Sequence, residues 1–321
     1  MQPLLSICIP TYNRSQHLAH TLDSIISDDG FCDEVEIVIS DNASTDDTGI
    51  VAQSYASKYA NVKYYRNEEN IRDFNFPTAL DRGTGLYVKL NNDNRVFAKG
   101  AVAYMLAAIK ENMASRTPIF FTCGSYFNVK KGTDKIECHS LSDFVEHLSY
   151  YSTGIWIFGS WKDDWDYVKD KMRYSPLQLS QVDWFYQIVS NRGGCVLMTR
   201  VVSYTEHVGK RSGYKWLQVH VDNYYTIMRP YYESGLISKK AWTTDHILQL
   251  KRMRLALTSI YVHNLMPEGW DFDMSGAKEI FWKNFKEFPY FYWYILTSPI
   301  WMSRLLLGRL AKNVIKLVKK R

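Results

Sequence analysis

Val35-Glu-Ile-Val-Ile-Ser-Asp-Asn-Ala-Ser-Thr-Asp-Asp47 is the stretch whose reading decides the fold. Val35, Ile37, Val38 and Ile39 make a β-branched run, the pattern of a strand buried on both faces. Ser40-Asp41-Asn42 breaks that run. Ser44 to Asp47 then reads as the cap and first turn of a helix: Ser44 with Asp47 three residues on approximates a capping box, and acids suit the positive end of a helix dipole. A strand opening directly into a polar loop and a helix is half of a βαβ unit. In open α/β sheets ligands bind at that carboxyl edge. Asp41 is therefore either a carboxylate for a base or ribose or, with Asn42, a turn former.

The same pattern recurs on both sides of this stretch. Leu5–Ile9 reads as a strand ended by Pro10, followed by the polar loop Thr11–Arg14 and by Leu18, Leu22, Ile25 and Ile26 at helical spacing. A helix is expected from about Asp46 to Tyr59, a third strand at Val62–Tyr65, and a loop with a short helix between Asn67 and Gly85. A fourth strand, Leu86–Leu90, ends in Asn91-Asn92-Asp93-Asn94. It precedes a helix with Val102, Met105, Leu106, Ile109 and Met113 on one face, and a fifth strand is expected at Ile119–Thr122. Strands alternating with helices of this length predict a parallel sheet with right-handed crossovers. After about Ser125 the alternation fades. Helices are expected at Leu141–Ser149, Val182–Asn191, Trp216–Ser234 and Lys239–Met266, and strands at Thr153–Phe158 and Cys195–Met198.

The 321 residues are 46% hydrophobic and 22% charged, ordinary values for a globular chain large enough for one big core. The five cysteines are odd in number and none lies in a Cys-x-x-Cys pair, which argues against a disulfide framework or zinc knuckle and for a reducing compartment. The N-terminus enters strand-like residues at once, without the pattern of a signal peptide. Of the net charge of +6, Arg304, Arg309, Lys312, Lys316, Lys319, Lys320 and Arg321 supply +7, leaving the rest at −1. A near-neutral body with a basic tail argues against nucleic acid as a partner.

Pro10–Arg14, Ser40–Ser44 and Asn91–Asn94 all follow parallel strands, so one sheet edge would carry all three loops. Asp93 is the natural ligand there for Mg or Mn, hard cations usually shared with substrate phosphates, although Asn and Asp also simply form turns. Ser6–Arg14, Ile37–Asp46, Asn67-Glu-Glu-Asn70 and Gly85–Asp93, in that order and spacing, resemble the family 2 glycosyltransferases, inverting enzymes of the GT-A fold. The resemblance covers roughly residues 4–125. It implies an α/β, Rossmann-like and mostly parallel sheet flanked by helices, with a helical C-terminal extension. Residues 1–125 would form the nucleotide-sugar half, 126–235 the acceptor half of the same domain, and 236–321 a membrane-associating helical region.

By the same resemblance, Pro10, Thr11, Tyr12 and Arg14 would lie against the nucleotide base and ribose, and Asp41 would accept from the base edge, most often uracil. Asn91-Asn92-Asp93 would stand in place of the family's Asp-x-Asp motif, departing from it because Asn91 replaces the first acid. Asp93 would hold divalent Mn or Mg, a Lewis acid for the leaving diphosphate. Arg72 is a candidate second cation, or else a surface arginine.

An inverting transfer needs a base for the acceptor hydroxyl. Asp183, in Ser180-Gln-Val-Asp183, lies where the family carries an acid at a helix start, although Ser180-x-x-Asp183 is also a capping box. Asp163, Asp164 and Asp166 are rivals, in a segment that reads as a surface loop. Trp156, Trp161 and Trp184 are candidates for an acceptor platform or for core. His207, ahead of a loop rich in Gly and basic residues, lies where some members of the family place a further metal or phosphate ligand, or else is a structural histidine.

From Phe285 to Met302 the chain is intensely aromatic but broken by Pro289 and Pro299. Beyond it Leu307, Leu310, Val314, Leu317 and Val318 share one helical face and the basic residues the other, which suits the surface of an anionic membrane, or else a partner helix. The resulting expectation is a cytoplasmic enzyme, peripheral on the inner face of the cell membrane. It would move a sugar from a nucleotide-diphosphate donor, a UDP-sugar, to a glycan or lipid-linked glycan in surface-polysaccharide (O-antigen or capsule) biosynthesis. The alternatives are a sugar nucleotidyltransferase, for which Pro10–Arg14 lacks a Gly-rich phosphate loop, and a degenerate nucleotide-sugar-binding protein.

Overall fold

The computed structural model of the chain describes residues 2–130, 132–206, 214–262, 272–297, 299–300 and 303. In chain order the elements are β1 (Leu5–Thr11), α1 (Ser15–Ile26), β2 (Val35–Asp41), α2 (Thr48–Lys58), β3 (Val62–Arg66), α3 (Asn75–Arg82), β4 (Tyr87–Leu90), β5 (Arg95–Phe97), α4 (Ala101–Asn112), β6 (Ile119–Phe121) and β7 (Lys135–Cys138). They continue with α5 (Leu141–Leu148), β8 (Gly159–Trp161), α6 (Lys162–Tyr167), α7 (Ser180–Arg192), β9 (Cys195–Met198), β10 (Ser203–Thr205), α8 (Tyr224–Glu233), α9 (Lys239–Val262) and α10 (Ala277–Phe285). The chain forms two compact units, one of Met1–Gly209 with Thr226–Trp242, the other of Lys210–Tyr225 with Thr243–Arg321.

The first unit is built on a five-stranded sheet in the order β3-β2-β1-β4-β8. β1 to β4 are parallel and β8 runs antiparallel against β4. β1 pairs with β2 from Leu5↔Val35 to Thr11↔Asp41, and with β4 from Leu5↔Tyr87 to Cys8↔Leu90. Strand order therefore reverses between β1 and β4, which opens a crevice at their carboxyl ends. Leu5, Ile7, Ile9, Val35, Ile37 and Ile39 face a core shared with Leu18, Leu22 and Ile25 of α1 and Val102, Met105 and Ile109 of α4. α3 packs on the other face of β1 and β2. Covering both faces is what the unbroken apolar run of β2 requires.

Pro10 does not end β1. The carbonyl of Cys8 points to β4, accepting from Asn91 N at 2.9 Å, so two residues on the missing N–H of Pro10 faces the same side, past the last β4 residue. It therefore costs no ladder bond.

Other expectations need correction. The strand expected at Thr153–Phe158 is a pair of 3-10 turns, and the strand begins at Gly159. Gly159 lies opposite Lys89, where a Cβ would stand 2.5 Å from the Tyr87 hydroxyl, so only glycine allows this edge to close on β4. Trp161–Trp165 is not a surface loop. Both rings are fully buried, and their Nε1 groups donate to Thr117 O at 2.8 Å and Asp81 Oδ1 at 2.7 Å. Two large rings with satisfied N–H groups outweigh the charged residues between them. The box Ser44–Asp47 does not form, because α2 starts at Thr48, whose N–H is taken by Asp46 Oδ1 at 3.0 Å. Met113 is exposed beyond the end of α4. β5, β7 and β10, three or four residues each, carry too short a pattern to be read in advance.

In the second unit, α10 buries Ala277, Ile280, Phe281 and Phe285, and Lys283 and Asn284 both bind Asp222 Oδ1, at 2.7 and 3.1 Å. Tyr225 stacks on His246 with ring centres 3.9 Å apart. The helix expected from Trp216 opens with a π-helical stretch, Gln218–Asn223. Residues 289–297 are helical, and Trp293, Leu296 and Ile300 are 61%, 75% and 61% exposed. The basic tail from Arg304 lies outside the described residues.

Candidate active site

Asp93 is where the crevice closes. It lies three residues past the end of β4 and is buried. Thr11 Oγ1, from the last residue of β1, donates to its Oδ2 at 2.9 Å, and Arg14 Nη1, at the entry to α1, pairs with its Oδ1 at 2.8 Å. Thr21 of α1 donates to its carbonyl at 2.9 Å. Burial pushes the Asp93 carboxyl above the ordinary carboxylate value, with Arg14 and Thr11 opposing. The first and last of the three loops thus meet through one carboxylate. Tyr12 is exposed beside them, while Pro10 is buried within β1.

The middle loop is stitched to the first. Asn42 N donates to Thr11 O at 2.9 Å, Asn13 N to Ser44 Oγ at 2.9 Å, and Thr45 N to Asn13 Oδ1 at 2.7 Å. Asn13, Ala43 and Arg72 hold φ of 51°, 61° and 52°. Ala43 has no polar side chain to ease that left-handed backbone, so the loop holds strain of order 1 kcal/mol against the bonds around it. Asp41 has no exposed surface: Ser44 N donates to Oδ1 and the Tyr64 hydroxyl to Oδ2, each at 2.9 Å, with Arg66 Nε at 3.9 Å. Burial and this bond push the Tyr64 hydroxyl up to about 12. Asn42, read only as a turn residue, is an anchor. Its side chain bonds Asn70 Oδ1 at 2.8 Å, Asn67 Nδ2 at 3.1 Å and Ile71 N at 2.9 Å. Arg72 is exposed and lines a cavity of about 430 Å³ with Asn70, Ile71, Phe74, Thr78 and Met172.

Among the described residues no group of three or more His, Cys, Asp and Glu could hold a metal by itself. What the motif offers is oxygen: the Asp93 carboxylate, and the side-chain carbonyls of Asn91 and Asn92, both buried and without a hydrogen-bond partner. That donor set fits a hard divalent cation that completes its shell on a substrate diphosphate. His207 lies outside the described residues, but Glu206 before it is tied to the motif loop, its N–H on Asn94 O at 2.8 Å. Glu206 also bridges His17 and His20, each Nδ1 at 3.0 Å, and the His17 bond, ahead of the His20 bond, holds its carboxyl below the usual value.

Behind the motif lie two buried cations that sequence reading passed over. Lys89 Nζ donates to Trp156 O at 2.6 Å and Leu90 O at 3.1 Å. Arg95 binds Ser203 Oγ at 2.9 Å and Thr205 Oγ1 at 2.7 Å, and its guanidinium lies 4.5 Å from the Trp156 ring centre. The available signal was a lysine set between Val88 and Leu90 in an otherwise apolar strand. Trp161 and Trp184 are core residues, packed with Tyr87 and with Trp165, so neither can offer a platform. Trp156 is occupied by Arg95.

Asp183 sits in the first turn of α7, but Ser180 makes no cap, because the N-cap position is Leu179. Its carboxylate is buried and receives four hydrogen bonds: Arg173 Nε to Oδ2 at 3.0 Å, Arg173 Nη2 to Oδ1, the Tyr231 hydroxyl to Oδ1 at 2.6 Å and Gln187 Nε2 to Oδ2 at 2.8 Å. The bonds to Asp183 raise the Arg173 guanidinium, and burial, then Asp183, raises the Tyr231 hydroxyl. Of the rivals, Asp164 is buried and paired with Arg192 at 2.7 Å, and Asp166 pairs with Lys162 at 3.5 Å.

The sequence pattern of glycosyl transferase family 2 matches residues 6–166. Abequosyltransferase RfbV of Salmonella typhimurium is 36% identical over 104 residues, 32% of this chain and 31% of that protein. The GalNAc(5)-diNAcBac-PP-undecaprenol beta-1,3-glucosyltransferase of Campylobacter jejuni is 30% identical over 114 residues, 35% of this chain and 36% of that protein. The matched segment thus spans about a third of the length of either relative. Among solved structures, S. aureus TarS 1-349 in complex with UDP-GlcNAc superposes with a TM-score of 0.54 at 16% identity, covering 83% of this chain and 77% of that one. The doubly wound sheet, the crevice at its switch point and the matched sequence agree: the chain belongs to glycosyl transferase family 2.

Proposed function

We propose that the chain is an inverting glycosyltransferase that takes a sugar from a nucleotide-diphosphate donor, UDP-linked, and places it on a glycan of a bacterial surface polysaccharide. The observation that carries this is the closure of Thr11, Arg14 and Asp93 across the switch point, the place where a parallel α/β sheet binds a nucleotide. Residues 1–125 hold the donor. Pro10, Thr11, Tyr12 and Arg14 line it, Asp41 accepts from the base edge once the Tyr64 hydroxyl that covers its Oδ2 gives way, and Arg72 meets the diphosphate from the cavity side. Asp93, with the Asn91 and Asn92 oxygens and His207, would hold Mn or Mg, which supplies Lewis-acid neutralisation of the departing diphosphate.

Residues 126–235 supply the acceptor side. The acceptor hydroxyl attacks the anomeric carbon, the bond from that carbon to the diphosphate oxygen breaks on the opposite face, and the hydroxyl proton passes to Asp183. Arg173, Tyr231 and Gln187 hold that carboxylate in its orientation, and Arg173 must yield one oxygen to the acceptor. Residues 236–321 place the enzyme on the inner face of the cell membrane, where a lipid-linked glycan would be met. In support, Trp282, Trp293, Leu296 and Ile300 are exposed, the tail is basic, and no described helix is long and apolar enough to cross a membrane. Incubation with a panel of radiolabelled nucleotide sugars tests the reading. Hydrolysis of one of them is expected, with Asp93→Ala removing its response to Mn. Binding without any turnover would favour a nucleotide-sugar-binding protein instead.

A further inference from the structure

Lys89 and Arg95 are 1% and 5% exposed, yet among the described residues neither forms an ion pair with a carboxylate. Lys89 is held by two carbonyls, Arg95 by Ser203, Thr205 and the face of Trp156. Both converge on Trp156, one on its carbonyl and the other on its ring. A buried charge normally has a counter-charge. The residue placed to supply one is 91: it follows Lys89 by two, one residue past β4 but still bonded to β1 through its N–H on Cys8 O, hence on the same face, and its amide reaches Arg95 O at 3.5 Å. Position 91 carries asparagine, whose Oδ1 is buried and without a partner. The one carboxylate of the motif, Asp93, is already neutralised by Arg14 at 2.8 Å. Net positive charge is therefore built in behind Asn91-Asn92-Asp93, and an acid at 91 would cancel it.

We infer that Lys89 and Arg95 are fixed counter-charges for the donor diphosphate and that Asn91 leaves them uncancelled, so a nucleoside diphosphate binds here without a divalent metal. This rests on the donor-site reading above. Charges held in place by carbonyls, hydroxyls and a ring need no reorganisation when the ligand arrives, and burial keeps them from being screened. A unit charge about 8 Å from a phosphate, at an effective dielectric near 20, changes binding about 30-fold.

The test is calorimetry of UDP, with GDP, CDP and dTDP alongside, in EDTA and in Mn. Wild-type protein is expected to bind one of them in EDTA within about threefold of its affinity in Mn. Lys89→Met, which keeps the apolar stem, is expected to lose about 30-fold in EDTA and to recover most of it in Mn. Asn91→Asp leaves Lys89 in place and cancels its charge, and is expected to make binding metal-dependent in the same way. Its thermal unfolding would show whether the fold is kept should Lys89→Met fail to fold. Wild-type binding that requires Mn would overturn the inference while leaving the donor site standing, as would EDTA binding unaltered in both variants. No binding of any nucleoside diphosphate under either condition would remove the donor-site reading and this inference with it.

Discussion

Replacing Asp183 by asparagine separates a base from a brace. The carboxylate collects two hydrogen bonds from Arg173, one from Tyr231 and one from Gln187, and its side chain is 1% exposed. Asparagine keeps one acceptor oxygen and turns an amide donor toward groups that are themselves donors. The two charge-assisted bonds from Arg173 are the main loss, at about 1.5–3 kcal/mol each. Arg173 is 38% exposed, so the guanidinium can turn to water and the low end applies. The variant should lose about 3 kcal/mol, or roughly 6–10 °C in unfolding midpoint for a unit of this size. Turnover should fall about 10²-fold or more with donor binding unchanged. Arg173→Gln is the control: it should cost comparable stability but leave the proton acceptor in place, so its turnover should exceed that of Asp183→Asn. The assay is sugar transfer measured well below both midpoints, beside calorimetry of the nucleotide. Full activity in folded Asp183→Asn would refute the role as base and leave Asp183 a brace between α7 and the segments carrying Arg173 and Tyr231.

Asp41→Ala should weaken nucleotide binding by removing the acceptor that Tyr64 and Ser44 hold in place, whereas Asp93→Ala should chiefly remove the response of turnover to Mn; nucleotide calorimetry checks the first and sugar hydrolysis with and without Mn the second. Burial pushes the Lys89 ammonium down to about 8 from 10.5, so the folded protein binds this proton less tightly than the unfolded chain. Stability relative to Lys89→Met should therefore rise between about pH 8 and pH 10, by a few kcal/mol at most, and denaturant titrations that show a fall over this window would contradict it. The full chain should pellet with anionic vesicles and be only partly released by high salt, while a chain ending near Asn284 should stay in the supernatant; equal partitioning would favour a protein partner for the tail.

The first half of the sheet was legible because its determinants are local. An apolar β-branched run, a polar break and an amphipathic helix repeat with little interruption from Leu5 to Phe121, and parallel strands put the three intervening loops on one edge whatever the details of packing. Hence Asp41 and Asp93 could be singled out from the pattern itself, and Thr11 and Arg14 from the family resemblance it carries. What it could not contain is the pairing. That Arg14 would close on Asp93, that Tyr64 would cap Asp41, or that Asn42 would anchor Asn67 and Asn70 depends on contacts between residues 23 to 79 apart. The second half was less legible because its strands are three or four residues long and its large rings turn inward: Trp165 reads as part of a surface loop, and Trp161 and Trp184 as platform or core, until the packing that claims them is known. The charge at the motif is the clearest division. The sequence displays a missing acid at Asn91; only the tertiary structure sets Lys89 and Arg95 behind it, because their placement depends on Trp156, Ser203 and Thr205 from distant segments that meet when the sheet closes.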